Sequence, residues 1–143
     1  MLHIVETYGA MLLRSLGQTI LLTLLSLIFA MIVGLIFALM NVGRNRIFNF
    51  IGTLYVDAVR GVPLIVLAYF TYFGIPAGIK SMGIQNFRLT ALSAGTIALA
   101  MNCGAYMAEI IRAGIESVDK GQMEASPSLG FSCGKCMRLV VLP

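Results

Sequence analysis

Charged and polar positions along this chain are grouped in blocks rather than spread through it. No charged residue occurs between Ser15 and Gly43, and Ile20 to Met40 is predominantly apolar. A second uncharged run covers Gly61 to Ile79 and a third Leu89 to Ala108. A helix of roughly 20 apolar residues crosses a hydrocarbon core, and backbone polar groups in lipid must be paired within their own segment, so each run predicts a transmembrane α-helix. The expected spans are about 18–41, 53–74 and 88–109. The second begins ahead of its uncharged run and carries Asp57 and Arg60 at its entrance. The fold class expected is an all-α membrane protein with three transmembrane helices and a cytoplasmic segment. Residues 1–16 mix apolar and polar positions and predict an external or interfacial segment, a short interfacial helix. Gly74, Pro76, Gly78 and Gly83 predict turns between the second and third spans.

Composition points to the same solvent. The chain is 59% hydrophobic and 11% charged, with mean hydropathy +0.92. A water-soluble domain carries about 25% charged residues, so too few polar side chains remain here to cover a water-facing surface. The net charge of +4 comes from singly scattered basic residues with no basic stripe, which excludes a nucleic-acid partner. Their distribution predicts topology instead. Arg44, Arg46 and Arg60 lie between the first two spans, and Arg112, Lys120, Lys135 and Arg138 follow the third; only Arg14, Lys80 and Arg88 fall on the other side. The bias places the N-terminus outside and the 41–53 loop and C-terminal segment in the cytoplasm. The first apolar stretch has no compact basic end and is too long for an h-region, so a cleavable signal peptide of the usual form is not expected.

Little in the chain suggests chemistry of its own. Cys103 lies in an apolar run; Cys133 and Cys136 form a C-x-x-C with no second pair, and the only histidine is His3. Neither a metal site nor a cofactor is expected, and in a reducing cytoplasm the cysteines are plain thiols. Asp57, Glu109 and His3 are too dispersed for a catalytic cluster, so no catalytic residue is assigned. No G-x-x-x-x-G-K-[ST] phosphate loop occurs, so ATP hydrolysis is not expected of this chain.

The segment from Gly121 reads GQMEASPSLGFSCGKCMRLVVLP. Glu124-Ala125-Ser126 is followed after three residues by Gly130, and nine residues later by Val140, Val141, Leu142 and Pro143. This spacing resembles the Glu-Ala-Ala loop of ABC-importer permeases, with Ser126 in place of the second alanine. Small side chains at Ala125 and Ser126 suit a helix seated close in a partner's groove. Gly130 suits a left-handed or tight backbone at its end, and Pro143 the first turn of a following helix. Taken alone, the same spacing also fits an ordinary amphipathic helix and turn.

Two upstream segments resemble the polar amino acid (histidine- and glutamine-type) subgroup of that family. Arg60-Gly61-Val62-Pro63-Leu64, running on to Tyr72-Phe73-Gly74-Ile75-Pro76, is similar to its Arg-Gly-Thr-Pro-Leu and Tyr-Phe-Gly-Leu-Pro. Gly104-Ala105-Tyr106-Met107-Ala108-Glu109, then Arg112-Ala113-Gly114-Ile115 and Lys120-Gly121-Gln122, is similar to its Gly-Ala-Tyr-x-Ala-Glu, Arg-Gly-Gly-Ile and Lys-Gly-Gln. The likeness extends from Gly17-Gln18-Thr19 to Leu142-Pro143.

The resemblance implies a permease subunit of an amino acid importer in a bacterial plasma or inner membrane, with residues 17–143 a partial ABC-importer transmembrane domain. Its loop, residues 112–143, would engage a separate ATP-binding cassette ATPase through Gly121, Gln122, Glu124, Ala125, Ser126, Gly130, Leu142 and Pro143. A second permease subunit, identical or paralogous, and an extracytoplasmic solute-binding protein are the other implied partners, with the lipid bilayer around them. Family members carry two further helices beyond the Leu-Pro, five in all, so the expectation is an incomplete version of that fold which does not transport alone. The alternative is a permease remnant or small membrane-embedded regulatory protein. Arg60, Gly61, Pro63, Tyr106, Glu109 and Arg112 are the remaining motif positions. Each also has a plainer reading: Arg60 snorkelling beside Asp57, Pro63 kinking or starting the buried part of a helix, Glu109 pairing with Arg112. Pro127 follows the Glu-Ala-Ser where the family carries a helix-compatible residue. It breaks a helix that starts near Gly121 and is tolerated in one that starts near Ser126.

Overall fold

The computed structural model describes residues 2–43, 45–119, 121, 128, 130 and 132–136. Those residues form α1 (Leu2–Val42), α2 (Arg46–Gly61), α3 (Leu64–Tyr69), a π-helical turn (Phe70–Gly74), α4 (Ile75–Ser81), α5 (Ala91–Glu116) and a short α6 (Cys133–Cys136). No strand occurs among them. Among the described residues three segments are long and apolar enough to cross a membrane: Tyr8–Val42, Leu64–Ser81 and Ala91–Glu116. Their outward faces are apolar, with Leu24, Ile28, Ile65 and Phe70 among the exposed side chains. Bilayer is the solvent such a surface requires.

α1 and α5 run parallel. Leu22 lies opposite Gly95, Ala30 and Val33 opposite Gly104, and Met107 and Ala108 opposite Gly34. The contact is made by small side chains four residues apart, one helical turn: Ser26, Ala30, Gly34 and Ala38 on α1, and Ala100, Gly104 and Ala108 on α5, all buried. In lipid there is little hydrophobic gain in pressing two helices together. Close backbone approach over small residues supplies the dispersion contact instead. The hydroxyls on these faces donate to the carbonyl one turn back, Ser26 to Leu22 at 2.6 Å and Thr96 to Leu92 at 2.9 Å, so they enter the apolar layer satisfied.

α2 runs back antiparallel to them, packed against both. Gly52 meets Met40 and Asn41, Val56 packs with Ala38 and Ala108, and Val59 with Ala98 and Ala105. Tyr55 stacks on Phe37 with ring centroids 3.9 Å apart and donates to the Met101 carbonyl at 2.9 Å, tying all three helices. Asn45 caps α2, its side chain accepting from the Ile47 N–H at 3.0 Å. Asn49 Nδ2 donates to the Asn41 carbonyl at 2.5 Å across the α1–α2 corner.

The second crossing differs from the expected helix over 53–74. It is helical from residue 46 but breaks at Val62 and Pro63, then continues as Leu64–Ser81. Pro63 lacks an N–H and forces the residue before it out of the helical region; Val62 sits at φ −101°, ψ 131° and Pro63 at φ −56°, ψ 138°. The helix restarts with Val66 N–H donating to the Pro63 carbonyl at 2.9 Å.

The turns expected at Gly74, Pro76 and Gly78 are absent, because all three lie within helix. A proline ring clashes with the carbonyl four residues before it. Here the helix is widened just upstream: the Ile75 N–H reaches back five residues to Phe70, and the enlarged turn accommodates Pro76. Gly74 leaves room for the Phe70 ring, which a Cβ there would meet at 2.9 Å. Only Gly83, at φ +98°, makes the expected turn.

Residues 2–16 are not a separate element either. They continue α1 without a break. Because Leu22 lies level with Gly95 and α5 starts at Ala91, the first four turns of α1 project beyond the α5 end by about 24 Å. The α1 helix of 41 residues is about 61 Å long, twice the roughly 30 Å of a hydrocarbon core, so its ends lie outside that layer.

Candidate functional site

Where α2 ends beside the second half of α5, four of the motif residues come together. Arg60 Nη1 lies 3.8 Å from Glu109 Oε2, and the Arg60 guanidinium carbon stands 5.3 Å from the Tyr106 ring centroid. Glu109 accepts a hydrogen bond from Arg112 through its other carboxylate oxygen, and Arg112 Nη1 also reaches Glu116 Oε1 at 3.2 Å. Glu109, Arg112 and Glu116 are spaced so that one face of α5 carries them in succession.

The break at Val62 and Pro63 positions this cluster. It ends α2 at Gly61 and leaves Arg60 in the last turn, turned towards α5. The sequence alone suggested Asp57 as the companion of Arg60. Among the described residues Asp57 makes no ion pair; it lies exposed while Arg60 reaches across to Glu109. The Glu109–Arg112 pair forms as expected, but as the centre of a wider network. Tyr106 lies one helical turn before Glu109 and Ile110 and offers its ring face to Arg60. A cation over a ring contributes about 0.5–1 kcal/mol at exposed sites and more when desolvated.

Glu109 stands about 27 Å along α5 from Ala91, near the far edge of a hydrocarbon layer. An isolated charge placed within lipid costs roughly 2.5–3.5 kcal/mol, so charges there are found paired. Two guanidinium groups and two carboxylates joined in one chain meet that need. Their side chains keep about a third of their surface or more exposed, so solvent screening limits each pair to about 1 kcal/mol. The network orients α2 against α5 more than it stabilises the fold.

The other motif positions divide between seen and unseen. Gly61 is the last residue of α2, with open space where a Cβ would stand, and Pro63 is the N-cap of α3. Gly121 N–H donates to Asp119 Oδ1 at 2.6 Å, closing a turn after α5. Gly130 has φ +77°, the left-handed region that only glycine enters freely. Gln122, Glu124, Ala125, Ser126, Pro127, Leu142 and Pro143 lie outside the described residues. Among the described residues no three His, Cys, Asp or Glu side chains come together as metal ligands would. The feature that reading the sequence missed is the α1–α5 seam. Its signal was present in the four-residue spacing of Ser26, Ala30, Gly34 and Ala38.

Comparison with known proteins adds the following. The sequence pattern of the family described as binding-protein-dependent transport system inner membrane component matches residues 30–143. A probable glutamine ABC transporter permease protein of Bacillus subtilis (strain 168) is 38% identical over 127 residues, 88% of this chain and 55% of the relative. An arginine transport system permease protein of the same organism is 36% identical over 131 residues, 92% of this chain and 57% of the relative. An L-cystine transport system permease protein, also of that organism, is 41% identical over 125 residues, 87% and 50% of the two. A solved structure of an amino acid ABC transporter with histidines superposes with TM-score 0.82 at 37% identity, over 99% of this chain and 63% of that one. The chain therefore spans about half the length of the curated relatives it matches.

Proposed function

This chain belongs to the family of binding-protein-dependent transport system inner membrane components, and from that premise we propose that it is part of the permease subunit of an importer for polar amino acids. The observation that carries the reading is the extent of the likeness: the family match covers residues 30–143, from within α1 through α5 and the segment that holds Glu124-Ala125-Ser126 and Gly130, and the solved structure covers 99% of the chain. Relatives named for glutamine, arginine and cystine support an amino acid as the cargo.

In this reading the N-terminus and the α4–α5 turn face outward, and α2 and the segment after α5 face the cytoplasm. A separate ATP-binding cassette subunit docks at residues 121–130 and supplies the ATP hydrolysis. A second permease subunit and an extracytoplasmic solute-binding protein complete the machine. The role of the Arg60–Glu109–Arg112 network is mechanical. The loop follows α5 after a single turn, so a push on the loop moves α5, and Glu109 passes that motion to Arg60 at the break in the second crossing. A break in a helix gives one crossing two parts that can move apart, which suits a path that opens alternately to either side. The left-handed Gly130 sets the direction in which the loop leaves its turn.

Capture of the ATPase subunit by the membrane-embedded chain tests this. Gly130→Val should abolish capture, because a β-branched residue is excluded from φ +77°, while Gly134→Ala should leave capture intact. Capture that survives Gly130→Val, or that never occurs with the unaltered chain, refutes the coupling role.

A further inference from the structure

At the end of the molecule opposite the charge network, two cavities meet. The first, about 300 Å³, lies between α3 with its π turn and the start of α5, and its walls are Ile65, Ala68, Tyr69, Ala94 and Gly95. The second, about 280 Å³, lies beyond it, among Pro76, Lys80, Phe87 and Arg88. Tyr72 and Phe73 line both, so the two adjoin along these rings and together make a groove. It is apolar along the membrane-spanning helices and cationic at the mouth, where α4 ends and the connector leads into α5.

Among the described residues the cations at the mouth have no ion-pair partner. All ion pairs among the described residues belong to Glu109 and its neighbours at the other end; neither Lys80 nor Arg88 takes part in one. Two basic side chains held at one cavity wall repel each other unless an anion sits between them. Below them the groove carries no further cation, and its walls are aliphatic and aromatic surface with the Tyr69 and Tyr72 hydroxyls as the side-chain polar groups. An occupant that matches both halves needs an anionic head of phosphate type and a hydrocarbon tail. The aromatic rings at the junction, Tyr72 and Phe73, are of the kind that settle at the level of lipid headgroups.

We propose that this groove is a binding site for an anionic phospholipid. Its phosphodiester lies between Lys80 and Arg88, and an acyl chain fills the cavity along Ile65, Ala68 and Ala94. The lipid would then hold the upper half of the broken second crossing against α5, where the protein itself provides no polar tie.

The chain contains no tryptophan, so Tyr72→Trp places a single fluorescent reporter in the wall shared by both cavities. The full chain carrying it is reconstituted into mixed bilayers of phosphatidylglycerol and phosphatidylcholine, with the acyl chains of one lipid or the other brominated as quencher. Phosphatidylglycerol should be preferred at the reporter by at least about fivefold, the effect of roughly one well-placed cation near a headgroup. Lys80→Gln with Arg88→Gln in the same background should remove the preference while leaving quenching by either lipid. Equal quenching by the two lipids before those substitutions overturns the proposal, as does a preference that survives them. Protection from both brominated lipids also overturns it, since a protein segment or second copy would then fill the groove. Tyr69→Trp, in the apolar half alone, serves as reporter if Tyr72→Trp lowers the unfolding temperature.

Discussion

Replacing Gly34 by alanine tests the α1–α5 seam at the point where it is tightest. A Cβ added at Gly34 would lie 2.7 Å from the Met107 Cβ, 3.1 Å from the Gly104 carbonyl oxygen and 3.3 Å from the Ala108 nitrogen. Two of those atoms are backbone in the middle of a helix and cannot turn aside. To reach an ordinary carbon contact of roughly 3.5–4.0 Å the helices must separate, and a gap of 0.5–1 Å forfeits about a quarter to a half of each dispersion well along the seam. Overpacking of this kind costs about 1–3 kcal/mol. Against it stands the gain of up to about 1 kcal/mol from replacing glycine within a helix. Gly17 and Gly114 isolate that gain, since both lie in helix with open space where a Cβ would stand. Unfolding in mixed micelles by added dodecyl sulfate, followed by far-ultraviolet circular dichroism, should rank Gly17→Ala and Gly114→Ala at or above the unaltered chain. Gly34→Ala should fall below the two controls by about 1–3 kcal/mol. Gly34→Leu should fall further. If Gly34→Ala is as stable as Gly17→Ala, the seam is not held by close backbone approach and the account of α1–α5 packing is wrong.

Two further outcomes are expected. At the α1–α2 corner a Cβ on Gly52 would run into the Asn41 side-chain amide, whose Oδ1 is buried without a hydrogen-bond partner. Gly52→Ala should therefore destabilise, and adding Asn41→Ala should recover part of the loss, with a coupling of about 0.5–3 kcal/mol in a double-mutant cycle; strict additivity would show that the two side chains do not compete for one space. On the proposed reading, in which residues 121–130 dock an ATPase partner, Pro127→Arg should raise affinity for that partner if a coupling helix starts near Gly121, because proline in a helix interior costs ~3 kcal/mol. Unchanged or weaker binding would place Pro127 in a first turn instead.

The helical nature of the apolar crossings was legible in the sequence, because lipid leaves the backbone so few options; the helix over 46–52 and 74–81, where loop and turns were expected, was not. An uncharged run of 20 residues has to be helical in a bilayer; Ile20–Met40 falls inside α1, and the third run lies inside α5 from Ala91 on. Breaks were harder to place. Pro63 was marked as a kink or a start and proved to be a full break, whereas Pro76, with two glycines beside it, marks no break at all. Proline has one chemistry in both places. What differs is the widened turn of Phe70–Gly74 ahead of Pro76, a feature with no signature in the residues that form it.

The charge network of Arg60, Glu109 and Arg112 was half legible for a related reason. Glu109 and Arg112 are three apart on one helix, and spacing alone brings them together. Arg60 is separated from Glu109 by the whole second crossing, and its partner could only be found once α2 had been laid antiparallel against α5.

By itself, then, the amino-acid sequence determined the solvent, the number of apolar crossings and the motif positions, since these depend on local runs of hydrophobicity and on short spacings. Tertiary structure decided which faces meet: the small-residue seam of α1 and α5, the pairing of Arg60 with Glu109 rather than Asp57, and the joining of Lys80 and Arg88 at one groove. In a bilayer almost every helix face is equally apolar, so burial leaves no polar and apolar contrast to read along the chain. The choice among faces falls to the fit of backbone against backbone, and that exists only once the helices are assembled.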